Sequence, residues 1–203
     1  MFNDTYRTLK YQSQGLYKDK GSKFIAFAFP VQNKEEIKVH LDDLKRKYHD
    51  ARHHCYAWAL GPNRDAFRQN DDGEPSGSAG KPIFGQILSH DITNVLIIVI
   101  RYFGGVKLGV RGLINAYKGA TQDAIENNTI IEKVIREVYE LQFEYPMMND
   151  VMRILKEHDL EQLSHEFGLS CKLSFAVRKE IADDISDIFK SIYGVKITYK
   201  YTS

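Results

Sequence analysis

The unbroken apolar run "VLIIVI" (Val95 to Ile100) has no polar side to turn to water. It predicts a central strand buried on both faces. "KFIAFAFPV" (Lys23 to Val31) and "HHCYAWAL" (His53 to Leu60) read as further strands of the same sheet. Between them, Asn33 followed by Glu36 has the spacing of a capped helix start, and Ile37, Leu41, Leu44 and Tyr48 give that helix one apolar stripe. "IFGQILSH" (Ile83 to His90) predicts a short helix, and a longer one is expected from about Gly112 to Asn127. These elements make an α+β sandwich, with helices over one sheet.

The last third of the chain follows a second pattern. "YELQFEY" (Tyr139 to Tyr145) alternates as a half-buried strand, and a helix is expected from about Met147, with Met148, Val151 and Leu155 inward. Strands near Leu160 to Phe167 and Ser170 to Val177 turn at Gly168; Cys171, Leu173, Phe175 and Val177 share one face. Ile181, Ile185, Ile188 and Ile192 form a helical face, and "VKITYKY" closes with Val195, Ile197, Tyr199 and Tyr201 on one side. The order is βαββαβ, that of the ferredoxin-like split unit. The chain is therefore expected to hold two domains, residues 1–135 and 136–203. "TIIEKVIR" (Thr129 to Arg136) either finishes the first or opens the second, and no Pro/Gly-rich linker separates them.

Composition changes this picture little. With 203 residues, 43% hydrophobic and 27% charged, the chain reads as an ordinary folded protein of one or two domains. No run approaches the roughly 20 apolar residues of a membrane helix. The N-terminus lacks the basic and apolar regions of a secretory signal. Two cysteines far apart, Cys55 and Cys171, argue against a disulfide framework, so a reducing cytoplasm is expected. The net charge of +1 conceals an asymmetry: residues 1–135 hold 19 Lys and Arg against 15 Asp and Glu, and the remainder is acidic. That excess permits a polyanionic partner without requiring one.

The candidate chemistry lies in two glycine-rich loops that each run into a helix. The first, "NDDGEPSGSAGKP" (Asn70 to Pro82), places Lys81 beside a proline at the expected first helical position. The second, "RYFGGVKLGVRG" (Arg101 to Gly112), leaves the buried strand. Glycines let backbone N–H groups surround an anion, and a helix start adds about half a positive charge. The same glycines would equally serve tight turns and close packing. Neither loop carries a Walker or dinucleotide fingerprint. Asp71, Asp72 and Glu74 could bind a divalent cation or act in acid–base chemistry, yet D-D-G and E-P are also turn formers. His53 and Cys55 share one strand face and His54 takes the other; no zinc-ligand spacing accompanies them, and neighbouring strand positions do not aim at one another. Tyr56 and Trp58 read as core or groove wall.

Taken together, "NDDGEPSGSAGKP", "RYFGGVKLG" and "GLINAY" (Gly112 to Tyr117) closely resemble the Impact/YigZ family. "KGSKFIAFAFPV" and "ARHHCYAWALG" are similar to that family's earlier blocks. The resemblance covers roughly residues 15 to 125, and the tail matches the smaller second domain of bacterial members. It implies a first domain similar to one in a small-subunit ribosomal protein and to domain IV of elongation factor G, and a tail similar to domain V. It also implies a role in translation. The kinase pathway of the eukaryotic members, which carry an N-terminal interaction domain, is not expected to transfer, since the family block starts within the first two dozen residues. Val110 and Arg111 stand where the family commonly has small residues, and Asn115 where a basic one is frequent, so no detailed contact map carries over.

The expectation is a cytoplasmic, translation-associated regulatory protein that binds RNA or the ribosome through a glycine-rich, cationic cleft, with a translation-factor protein as a further possible partner. Ser76, Ser78, Lys81, Arg101, Gly104, Gly105, Lys107, Arg111 and Lys118 would touch nucleic acid or phosphate. Asp71, Asp72, Glu74 and His54 would form the rim. No catalytic residue, metal or cofactor is assigned. Two alternatives stay open: a phosphate-ester hydrolase or transferase using Asp72 and Glu74 on a small phosphorylated substrate, and a protein-interaction adaptor.

Overall fold

The computed structural model describes residues 4–202. By contacts between residues the chain divides into two compact units, Tyr6–Lys133 and the remainder, to which Asp4 and Thr5 also belong.

In the larger unit, strands β2 (Ser13–Asp19), β3 (Ser22–Pro30), β4 (His53–Leu60), β5 (Ala66–Asn70) and β6 (Val95–Tyr102) form one sheet in the order β2-β3-β6-β4-β5. All neighbours run antiparallel. The apolar run is its middle strand, as its composition requires. Val95, Ile97 and Val99 pack on one side with helices α2 (Gly80–Ser89) and α3 (Gly109–Glu126). Leu96, Ile98 and Ile100 pack on the other beneath α1 (Lys34–Lys47). The helices thus divide between both faces. Asn33 caps α1, its side-chain oxygen accepting the Glu36 N–H at 2.9 Å, while Glu36 reaches back to the Gln32 N–H at 2.9 Å.

Several boundaries differ from expectation. Helix α3 starts at Gly109, three residues before Gly112. Helix α2 starts at Gly80, so Pro82 is its third residue; still within the first turn, its missing N–H breaks no helical bond. "TIIEKVIR" supplies β7 (Ile130–Val134), which pairs with an N-terminal strand, β1 (Thr5–Leu9), in a separate two-stranded sheet.

The smaller unit runs β8 (Arg136–Glu144), α4 (Met148–Glu157), β9 (Glu161–Glu166), β10 (Ser170–Arg178), α5 (Ala182–Lys190), β11 (Val195–Thr202). Its antiparallel sheet has the order β11-β8-β10-β9, so the chain has the expected βαββαβ topology. Leu141, Phe143, Leu173, Phe175, Leu155 and Phe189 fill its core. The stripe of α5 needs correction. Ile181 precedes the helix and is exposed, and Ala182, Ile185 and Phe189 point inward instead, with Ile188 and Ile192 flanking. Strand β11 likewise breaks register between Tyr199 and Tyr201, so its expected single face is interrupted. At the other end of the sequence, Asp4 joins this unit through an ion pair with Arg178, and its carbonyl accepts the Ile135 N–H at 2.6 Å. No helix among the described residues is long and apolar enough to cross a membrane.

Candidate anion-binding cleft

The first glycine loop is shaped by its own acids. Asp72 (φ 42°) and Gly73 (φ 84°) both take left-handed backbone, and the Glu74 N–H closes on the Asp71 carbonyl at 2.9 Å, a tight reversal of the type that Asp-Gly favours. The Asp71 carboxylate then accepts three backbone N–H groups, from Gly77 (2.8 Å), Ala79 (3.0 Å) and Gly80 (2.8 Å). It therefore folds the loop and caps α2 from outside the helix. Asp72 Oδ2 accepts the His54 N–H at 2.6 Å, tying the loop to the start of β4. Asp71→Ala is expected to cost about 2 kcal/mol, because three charge-assisted bonds vanish together. Urea unfolding would check it; a loss indistinguishable from zero would show that the loop holds its shape without this carboxylate.

The turn throws Glu74 inward. Its side chain is only 3% exposed, and Oε1 accepts from Arg101 Nη1 at 2.6 Å and from the Tyr117 hydroxyl at 2.8 Å. Behind it, the Cys55 thiol lies 3.0 Å from the Asp71 carbonyl and 3.3 Å from the Tyr117 oxygen, so two acceptors share one S–H. Burial pushes the Cys55 thiol and the Tyr117 phenol well above their ordinary ranges. Such a thiol is a packing group rather than a nucleophile. Burial also lowers the His54 imidazole, partly opposed by Asp72, and its Nε2–H donates to the Tyr48 carbonyl at 3.1 Å.

The second loop is set by close packing. A Cβ on Gly104 would stand 1.9 Å from the Gly21 carbonyl carbon, and the Gly104 N–H donates to Ser22 Oγ at 3.1 Å. The loop is thus seated on the β2–β3 turn. Helix α3 follows with Leu108 at its cap position, no capping side chain and no acid in its first turn. The two helix starts therefore differ: Asp71 already claims that of α2, whereas α3 carries no such anion.

The start of α3 opens on a cleft of about 860 Å³, walled by residues 50–53, 74–75, 101–103, 107–110 and Leu113. Of the residues expected from the sequence, Glu74, Arg101 and Lys107 line it. Gly104 and Gly105 belong to the same loop, and Arg111 and Lys118 are exposed along α3. Ser76 on the first loop and Lys81 in the first turn of α2 are exposed without lining the cleft, and Ser78 is fully buried. Two expectations change. Arg101 was expected to reach for phosphate, yet its side chain is 9% exposed, with the guanidinium held by Glu74 and lying over Phe24 and Phe103. Of the acids and His54 expected at the rim, Glu74 does line the cleft although it is buried against Arg101 and Tyr117, whereas buried His54 and half-buried Asp71 and Asp72 lie outside the lining, Asp71 and Asp72 in loop-building bonds.

Sequence reasoning missed Arg52, His53 and Phe103 as cleft residues. His53 Nδ1–H donates to the Asp72 carbonyl at 2.8 Å, which fixes the ring against the first loop. It also missed the β2–β3 turn, whose Lys18, Lys20 and Lys23 are exposed beside Gly21. The charge cluster "KDKGSK" around a turn glycine was the available signal.

Residues 20–125, just over half of the chain, match the family model of the Impact N-terminal domain. The chain belongs to the IMPACT family. IMPACT family member YigZ of Escherichia coli (strain K12) is 33% identical over 150 residues, 73% of this chain and 74% of that protein. IMPACT family member YvyE of Bacillus subtilis (strain 168) is 29% identical over 153 residues, 75% of this chain and 70% of that one. The Protein IMPACT homolog of Saccharomyces cerevisiae is 36% identical over 96 residues, covering 45% of this chain. A solved structure described as that of a hypothetical protein covers 98% of the chain and 99% of its own, with 26% identity and a TM-score of 0.76. Both units of this IMPACT family chain thus have a counterpart in one solved protein.

Proposed function

We propose that the protein is a cytoplasmic, translation-associated binding protein that takes RNA, alone or on the ribosome, in the cleft at the start of α3. The observation that carries this reading is the unclaimed helix start, with Lys107 just before it, Arg111 in its first turn and Arg52 across the cleft. Backbone N–H groups there supply a fixed partial positive charge, Arg52 and Lys107 line the cleft and Arg111 is exposed in the first turn, while the two carboxylates of the cleft, Asp50 and Glu74, accept from the Tyr102 hydroxyl and from Arg101. Lys18, Lys20 and Lys23 extend the cationic surface along the turn that seats the loop, and Lys118 along the helix. Membership of the IMPACT family, whose resemblance implies domains like IV and V of elongation factor G, is in keeping with the same reading, with a translation-factor protein as a further partner. Glu74 and Asp72, the groups a hydrolase would need, are engaged in bonds that build the loop.

The test is binding of the purified protein to ribosomal subunits, transfer RNA and generic RNA across a salt series. Affinity should fall linearly on a log–log plot as counterions are released. Lys107→Glu should weaken all RNAs alike and reduce that slope by about 1. Absent binding at low salt, or binding indifferent to salt, would remove the proposal's support.

A further inference from the structure

We infer that the cleft receives an unpaired nucleotide of a single-stranded RNA, its base laid against Phe103 and its phosphate at the start of α3; this rests on the RNA reading above and narrows its ligand. Phe103 is 55% exposed, and it lines the cleft, as does Val110 at 53%. The ring is nevertheless held in place. The Arg101 guanidinium lies 5.6 Å from its centroid and 5.5 Å from that of Phe24, and Glu74 anchors that guanidinium from below. A fixed apolar ring beside a cationic helix start combines the two requirements of single-strand binding, a stacking platform and a phosphate funnel.

The cleft's size of about 860 Å³ falls in the range of small-molecule sites, roughly 300–1,000 Å³, which suits a nucleotide rather than a helix. In duplex RNA the base faces are stacked on one another, so only an unpaired base can offer a face to Phe103. His53 lines the same wall, its ring fixed by the Nδ1–H bond to the Asp72 carbonyl.

Fluorescence polarisation would compare an unstructured oligouridylate with a fully paired RNA hairpin, on the wild type and on Phe103→Leu, Phe103→Ala and Phe103→Tyr. The single strand should bind about tenfold more tightly than the hairpin, and Phe103→Leu and Phe103→Ala should each lose about tenfold on the single strand alone. Phe103→Tyr should retain the wild-type preference. Melting curves accompany each variant, and Phe103→Leu keeps the apolar bulk over Arg101 should the alanine variant unfold. Equal affinity for both RNAs, or Phe103 variants that weaken both or neither, would overturn the inference while leaving the RNA reading standing. Wild-type failure on every RNA at low salt would overturn both. Polyglutamate bound as tightly as the single strand would also overturn it, since a charged peptide offers no base to stack.

Discussion

Glu74→Ala is expected to destabilise the larger unit by about 3–5 kcal/mol, the range for breaking a buried ion pair by removing one partner. The carboxylate is the meeting point of Arg101 and the Tyr117 hydroxyl, and both lose their acceptor in a site almost closed to water. The guanidinium would then lie under Phe103 without a counter-charge. Trp58, the single tryptophan, is buried in the same unit, so its fluorescence in urea reports the transition of this unit. The double variant Glu74→Leu/Arg101→Met should recover a large part of the loss, because apolar residues of similar volume leave no charge unpaired. A single-variant loss below about 1 kcal/mol would mean that water reaches the pair, contrary to its burial.

Gly104→Ala should cost about 3 kcal/mol, at the upper end of overpacking. The added carbon would stand 1.9 Å from one backbone atom of Gly21 and 2.2 Å from the Ser22 nitrogen. Neither neighbour is a side chain that can rotate away, so either the β2–β3 turn or the Phe103–Lys107 loop must move. RNA affinity should fall with stability, since Phe103 and Lys107 flank the displaced residue. Gly105→Ala separates sterics from backbone preference. Its φ of 88° is unfavourable for alanine, but nothing lies within 4 Å of the added carbon, so a cost of about 1–2 kcal/mol is expected. If the two variants melt alike in thermal unfolding, the close approach of loop and turn is not what Gly104 serves.

The legible parts of the fold were those in which one residue pattern decides the matter. The run from Val95 to Ile100 could only be a doubly covered strand, and the alternation of Cys171, Leu173, Phe175 and Val177 could only be a strand with one face inward. Strands β2 and β5 escaped because each lies at a sheet edge. Ser13–Asp19 alternates in burial, but its inward positions begin with Ser13 and Gly15 while Leu16 faces out, so hydrophobicity does not show the alternation, and Ala66–Asn70 has no buried face at all. The two glycine loops were legible as a site, but the roles within them were not. A carboxylate in "DDGEP" reads as a surface acid from its neighbours alone, whereas Glu74 owes its burial to Arg101 and Tyr117, 27 and 43 positions away. Asp71 looks equally polar, and only the fold aims it at three N–H groups and so cancels one of the two helix starts. That cancellation is what reduces two candidate phosphate loops to one.

The bond between Asp4 and Arg178 also orders events during synthesis. Their separation of 174 positions means that the N-terminal segment leaves the ribosome long before its partner exists. Residues 6–133 can gather their own core meanwhile, as domains commonly do while the chain is still being made. The segment around Asp4 must wait, so the smaller unit is closed by residues made well before the rest of it. A fragment begun at Arg136 would lack that closing piece, and is expected to melt earlier than the same unit in the full chain.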